Sequence, residues 1–114
     1  MKIDAFSFGS LVIEGKRYTS DLVIYTDRRI VDSWYRKSGH ILLKEDIDQL
    51  IASDPEVIIA GTGIDGRMIP ERKLEESLVK SGIGFYFAPN KKAVDLFNEL
   101  SLKKRTGACF HLTC

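Results

Sequence analysis

Hydrophobic positions in the first third of the chain alternate with polar ones. Ile3 to Phe8 and Leu11 to Glu14 are short runs parted by Gly9, and Gly15-Lys16 marks a further turn. Asp21-Leu22-Val23-Ile24-Tyr25 is a stronger strand, closed by Thr26-Asp27-Arg28-Arg29, and Ile30 to Arg36 resumes an extended pattern. A period of two sends successive side chains to opposite faces, so this region predicts antiparallel hairpins or a small meander.

Beyond it the period changes. Lys44 to Ser53 sets Ile47, Leu50 and Ile51 on one helical face, and Asp54-Pro55 stops that helix. Val57-Ile58-Ile59-Ala60 then runs straight into Gly61-Thr62-Gly63, which reads as a buried strand ending at a tight loop. Pro70 and Glu71 suit a helix start, Leu74 and Leu78 stack one turn apart, and Gly82 ends the helix. Ile83 to Phe87 reads as a second buried strand. Asn90 is placed to cap a helix through Leu102, with Ala93, Val94, Phe97 and Leu100 inward, and Thr106 to Thr113 makes a final strand. The order α-β-α-β-α-β favours parallel strands joined by right-handed crossovers. The fold class expected is α/β: a single compact domain over residues 1–114, with helices packed on a mixed β-sheet and an antiparallel N-terminal β extension.

Composition narrows the functional classes. The 114 residues are 44% hydrophobic and 29% charged, ordinary for a globular chain that buries a core without disulfides or metal. A net charge of +1 removes any whole-protein electrostatic case for nucleic acid or a membrane surface. No apolar run nears the roughly 18 residues of a membrane span, and Met1 to Phe6 lacks an apolar signal core, so a cytoplasmic location is expected. Cys109 and Cys114 have neither disulfide-framework nor zinc spacing, and no metal or cofactor is expected.

Two segments concentrate chemistry. Gly61, Gly63 and Gly66 fit the letters G-x-G-x-x-G, and backbone N–H groups of such a loop can meet an anion. The Gly-Lys-Ser/Thr ending of a phosphate loop is absent, the next helix is delayed to about Pro70, and no strand-terminal acid follows at dinucleotide-fold spacing. A structural turn is therefore favoured over a nucleotide site. In the second segment, Trp34, Arg36 and His40 lie within seven positions and offer an aromatic wall, a fork of donors and an imidazole. An amphipathic strand with its Trp on the core is the competing reading.

His40 and His111 are the only imidazoles. His111, between Phe110 and Leu112, fits a structural strand residue, and His40, beside a loop, is the better functional candidate. Cys109 fits a small core residue. The Cys114 thiol shares space with the terminal carboxylate, whose charge disfavours a thiolate. A nucleophilic pairing of either cysteine with His111 stays open at low weight. Lys103-Lys104-Arg105 complements a helix C-terminus without needing a ligand.

With these segments placed, the chain resembles the Mth938-like (DUF498) domain family. The resemblance rests on Phe8-Gly9, Gly15, Tyr18, Asp21 to Ile24, Trp34-Tyr35-Arg36, Gly39-His40 and Asp46. It continues through Pro55-Glu56, Ile58 to Gly63, Gly66, Ala93 and Asn98 to the ending His111-Leu112-Thr113-Cys114. It implies a mixed sheet packed against helices with a further β layer, and no established catalytic activity. Eukaryotic members include a mitochondrial assembly factor for respiratory complex I and a cytosolic protein linked to adipocyte differentiation, which suggests protein–protein interaction. Where the family often carries Thr before its last helix, this chain has Pro89-Asn90.

Three functional readings follow, in order. The first is a non-catalytic interaction or assembly module with another protein as partner. The second is a small anionic-ligand binder or enzyme, in which Trp34, Arg36 and His40 face a notch made by Gly61, Thr62, Gly63 and Gly66. A nucleic-acid surface through Arg28-Arg29 and Lys103 to Arg105 is a distant third, since no aromatic residues interleave the cations.

Overall fold

The computed structural model describes residues 1–114. The elements in chain order are β1 (Ile3–Ser7), β2 (Ser10–Ile13), β3 (Lys16–Tyr18), β4 (Leu22–Ile24), β5 (Ile30–Val31) and β6 (Ile41–Leu42). A 3₁₀ turn (Lys44–Ile47) leads into α1 (Asp48–Ala52), and β7 (Val57–Gly61), β8 (Ile69–Pro70), α2 (Arg72–Lys80), β9 (Gly84–Ala88), α3 (Asn90–Leu100) and β10 (Thr106–Phe110) complete the chain.

The alternating N-terminal pattern gives the antiparallel meander β1-β2-β3, but this is a sheet of its own. β4 and β5 leave it and join the main five-stranded sheet, ordered β5-β4-β10-β7-β9. Within that sheet β10, β7 and β9 are parallel, while β4 runs antiparallel to β10 and β5 antiparallel to β4. The sheet is therefore mixed and carries helices on both faces, as the α-β alternation implies.

Period two sorts the sheet's side chains between two cores. Leu22, Ile24, Ile59, Ala108 and Phe110 meet Ala93, Val94 and Phe97 of α3 and Ile3, Leu11 and Ile13 of the meander. Val23, Ile58, Ala60 and Cys109 face the other way, onto Leu50 of α1 and Leu74 and Leu78 of α2. The helices fall on opposite faces because the winding reverses: β7 leads through α2 to its neighbour β9, and α3 then returns past β7 to β10. Asn98 of α3 fastens the meander like an extra strand. Its Oδ1 accepts from the Ile3 N–H at 2.8 Å and its Nδ2 donates to the Ile3 carbonyl at 2.9 Å.

Several local expectations change. Ile83 to Phe87 is not a buried strand: β9 forms the sheet's edge, and Tyr86 and Phe87 are exposed. Continuous apolar character marks both buried and edge strands, so pattern alone did not separate them. Pro70 lies in β8, paired with β6, and α2 begins at Arg72. Asn90 is the first residue of α3 and Pro89 stands at the N-cap, without a side-chain capping bond. The Asn90 side chain is drawn into the interior instead. α3 ends at Leu100 and β10 at Phe110, leaving His111 to Cys114 as a separate tail. No helix is long and apolar enough to cross a membrane.

Candidate functional site

Parallel α/β sheets place their ligands outside the carboxyl ends of the strands, where the winding reverses. Here that point lies between β7 and β10, bounded by the Gly61-Thr62-Gly63 turn, the start of α3 and the tail after β10. The register sets who meets whom. Phe110 pairs with Leu22 in the antiparallel β10-β4 ladder, and one step further brings His111 beside Asp21.

Asp21 gathers the donors. Its Oδ2 accepts from His111 Nδ1 at 2.7 Å and from Arg36 Nη1 at 2.8 Å, and its Oδ1 accepts from the Leu112 N–H at 2.7 Å. Arg36 also donates through Nη2 to the Gly39 carbonyl at 3.2 Å, and its guanidinium lies over the Trp34 ring at 4.7 Å. The Arg36 and His111 side chains are 5% and 7% exposed, and Asp21 is 19% exposed. Burial alone would raise the Asp21 pKa. Hydrogen bonds from His111, the Leu112 N–H and Arg36, with the charge of His111, outweigh it and hold the carboxyl below its ordinary value. An ionised Asp21 keeps a proton on His111 Nδ1, which donates to the carboxylate. Arg36 Nη2, 3.0 Å from the same nitrogen, sends its hydrogen bond to Gly39.

The glycine turn is closed from inside. Thr62 N–H donates to the Ala88 carbonyl at 2.9 Å, Gly63 N–H to Asn90 Oδ1 at 3.1 Å, and Ile64 N–H to the Thr113 carbonyl at 3.2 Å. Gly66 N–H turns back to the Gly63 carbonyl at 3.3 Å. Asn90 Nδ2 donates to the His111 carbonyl at 2.8 Å, so one buried amide ties the turn to the tail. A side chain at Gly61 would strike the Phe110 ring and come within 2.6 Å of Asn90 Oδ1. One at Gly63, whose φ is +106°, would strike the Thr113 carbonyl.

Trp34, Arg36, His40 and the turn therefore do share a neighbourhood, through the tail. Arg36 meets His111, His40 Nε2 lies 3.5 Å from Cys114 Sγ, and Gly63 meets Thr113. The donors read as available to an anion are nevertheless engaged. Arg36 gives Nη1 to Asp21 and Nη2 to Gly39, leaving its buried Nε without a partner. The Thr62 and Gly63 N–H groups go to Ala88 and Asn90, and Trp34 Nε1 donates to the Asp46 carbonyl at 3.0 Å. None of the molecule's cavities is lined by Arg36, His40, His111 or residues 61–66.

An imidazole oriented by a carboxylate is a device that acid–base catalysis uses. His111 Nε2, however, is buried and bonds to nothing, and the Cys114 thiol pairs with His40 rather than His111. Cys109 is fully buried, and burial pushes its thiol up to about 12, which makes it inert as a nucleophile. No three His, Cys, Asp or Glu side chains stand together as ligands for a metal ion.

Sequence reading missed Asp21 and the inward role of Asn90. The only local sign of Asp21 was an acid abutting a strand that is buried throughout. Its partners lie 15 and 90 residues away, set by register and topology.

Comparison with known proteins places this architecture in a structurally characterised class of mixed α/β domains. The conserved hypothetical protein PH1505 of Pyrococcus horikoshii is 32% identical, covered in full in both chains, with a TM-score of 0.84. The protein MT938 is 28% identical over 99% of this chain and 98% of its own, with a TM-score of 0.80. Xanthomonas campestris XCC1710, at 19% identity over 96% of this chain and 83% of its own, shares the fold with a TM-score of 0.77. Residues 3–111 match the family described as protein of unknown function (DUF498/DUF598), and the chain belongs to that family. Among functionally curated proteins none matches it.

Two outcomes test the clamp. Asp21→Asn strands a buried guanidinium and should lower stability by about 3 kcal/mol near neutrality. Because the native Asp21 pKa is depressed, its contribution is present above the unfolded value and lost as pH falls through the lower native one. Urea melts should therefore show the gap between wild type and variant narrowing as the pH falls below the ordinary aspartate value of about 4. Gly63→Ala should cost about 2–4 kcal/mol in the same assay, since strain and a backbone clash act together.

Proposed function

We propose that this domain is a non-catalytic protein-interaction module, and that it receives an extended segment of its partner along β9. The observation that carries the reading is the open edge of the main sheet. β9 pairs with β7 on one side and with no strand on the other.

Its sequence, Gly84-Phe85-Tyr86-Phe87-Ala88, has no charge or proline to blunt that edge, and Tyr86 and Phe87 are each 46% exposed. Unguarded aromatic edges are a hazard that folded chains ordinarily suppress, and a partner strand would satisfy both the backbone groups and the rings. Val79 of α2, the helix packed on β9, adds exposed apolar surface. The second reading, a small anion held by Arg36, His40 and the glycine turn, has less support, because Arg36 Nη1 and Nη2 and the Gly63 N–H already bond within the chain and no cavity is lined by these residues.

A photo-crosslinking residue at Tyr86, activated in the native cells, should give discrete protein adducts. Phe87→Lys should cost about 1 kcal/mol of stability at most and reduce adduct yield by about tenfold or more. An absence of protein adducts at Tyr86, or a yield untouched by Phe87→Lys, contradicts the reading.

A further inference from the structure

A second concentration of polar and aromatic side chains lies at the opposite edge of the sheet, near β5. There a cleft of about 420 Å³ opens between β4, β5 and the 3₁₀ turn with α1. That volume falls within the range of small-molecule sites, about 300–1,000 Å³. The lining includes Tyr25, Trp34 and Tyr35 together with Glu45, Asp46 and Asp48, and no lysine or arginine lines it.

The parts are not equally free. Asp46 is committed to the backbone: Oδ2 accepts from the Leu43 N–H at 2.8 Å and Oδ1 from the Lys37 N–H at 3.3 Å. Glu45 and Asp48 face only exposed lysines, with Lys37 Nζ 3.9 Å from Glu45 and Lys44 Nζ 3.2 Å from Asp48. Exposed pairs of that kind contribute little and exchange readily. The two inner aromatic residues have their polar atoms satisfied, Trp34 Nε1 by the Asp46 carbonyl and the Tyr25 hydroxyl by Gln49 Oε1 at 3.3 Å. What they offer a ligand is ring surface. Both rings already attract cations within the chain, Arg36 at 4.7 Å from Trp34 and Arg29 at 4.5 Å from Tyr25, while the Tyr35 ring is exposed.

Ring faces carry partial negative charge, and here they combine with two loosely held carboxylates and no lining cation. We propose that this cleft binds an organic cation, an alkylammonium or guanidinium group on a flexible stem. The stem lies against Tyr25, Trp34 and Tyr35, and the charge is received by Glu45 and Asp48. An anion meets repulsion here, and a neutral ligand gains nothing from the carboxylates. The same group can arrive on a free polyamine or on a basic side chain of a peptide. The site stands apart from β9 and does not depend on the reading given to that edge.

Trp34 is the chain's only tryptophan, so its emission reports on the cleft directly. Titration with spermidine and, separately, with a blocked peptide carrying adjacent lysine and arginine should give a saturable change for at least one. The tighter of the two identifies the source. Glu45→Gln with Asp48→Asn should weaken binding by about tenfold or more, whereas Lys37→Ala with Lys44→Ala should tighten it by uncovering the carboxylates. The neutral 1,8-octanediol should give no saturable change. No saturable response to either cation up to about 10 mM, a response unaltered by the carboxylate variant, or an equal response to the diol would overturn the proposal.

Discussion

Asp21 accepts three hydrogen bonds with its two carboxylate oxygens, from His111, Arg36 and the Leu112 N–H, and the carboxyl end of the sheet is organised around them. A guanidinium as buried as that of Arg36 is tolerable only when paired, because an unpaired charge away from water costs several kcal/mol. The pairing also does topological work. Asp21 sits just before β4, Arg36 in the loop after β5, and His111 and Leu112 just after β10, so one carboxylate joins three segments far apart in sequence. The tail is secured from other sides as well: Gly9 N–H donates to the Leu112 carbonyl, and the His111 N–H to that of Gly61, at 2.8 and 2.9 Å.

This arrangement gives a familiar place in α/β folds an unfamiliar content. The reversal of winding between β7 and β10 opens the crevice in which such sheets hold their ligands. In this chain the crevice is filled by its own tail and by the Asn90 side chain, which answers the Gly63 N–H with Oδ1 and the His111 carbonyl with Nδ2. Gly61 and Gly63 are glycines because Phe110, Asn90 and the tail backbone stand where their side chains would be. The surfaces that remain open lie at the sheet's two edges, an aromatic strand at β9 and an acidic, aromatic-lined cleft near β5.

How much of this was legible in the sequence follows from the range of each interaction. Period-two alternation identified the meander, and the apolar run at Val57 identified the central strand, because both signals are local. The family resemblance supplied the global arrangement. Exposure of Tyr86 and Phe87 was hidden, since strand order decides which apolar strand is an edge and order is a property of the whole sheet. Asn90 was read as a cap because its type and position fit one. Its interior role depends on the closeness of Gly63, 27 residues earlier. Arg36, His40 and the glycine turn each meet the tail, Arg36 at His111, His40 at Cys114 and Gly63 at Thr113. The sequence did not reveal that His111 to Cys114 would pass among them, or that Asp21, Gly39, Ala88 and Asn90 would take up the hydrogen bonds of Arg36, Thr62 and Gly63.

The central claim is that the tail belongs to the folded core of the carboxyl end and is not a loose strap over a ligand site. Amide hydrogen exchange at Gly63, Ile64 and Leu112 tests it, because each of those N–H groups bonds to Asn90, Thr113 or Asp21 within the clamp. The account predicts that they exchange as slowly as the amides of β7, opening only when the whole molecule unfolds. Fast exchange at these three positions while β7 stays protected would contradict it.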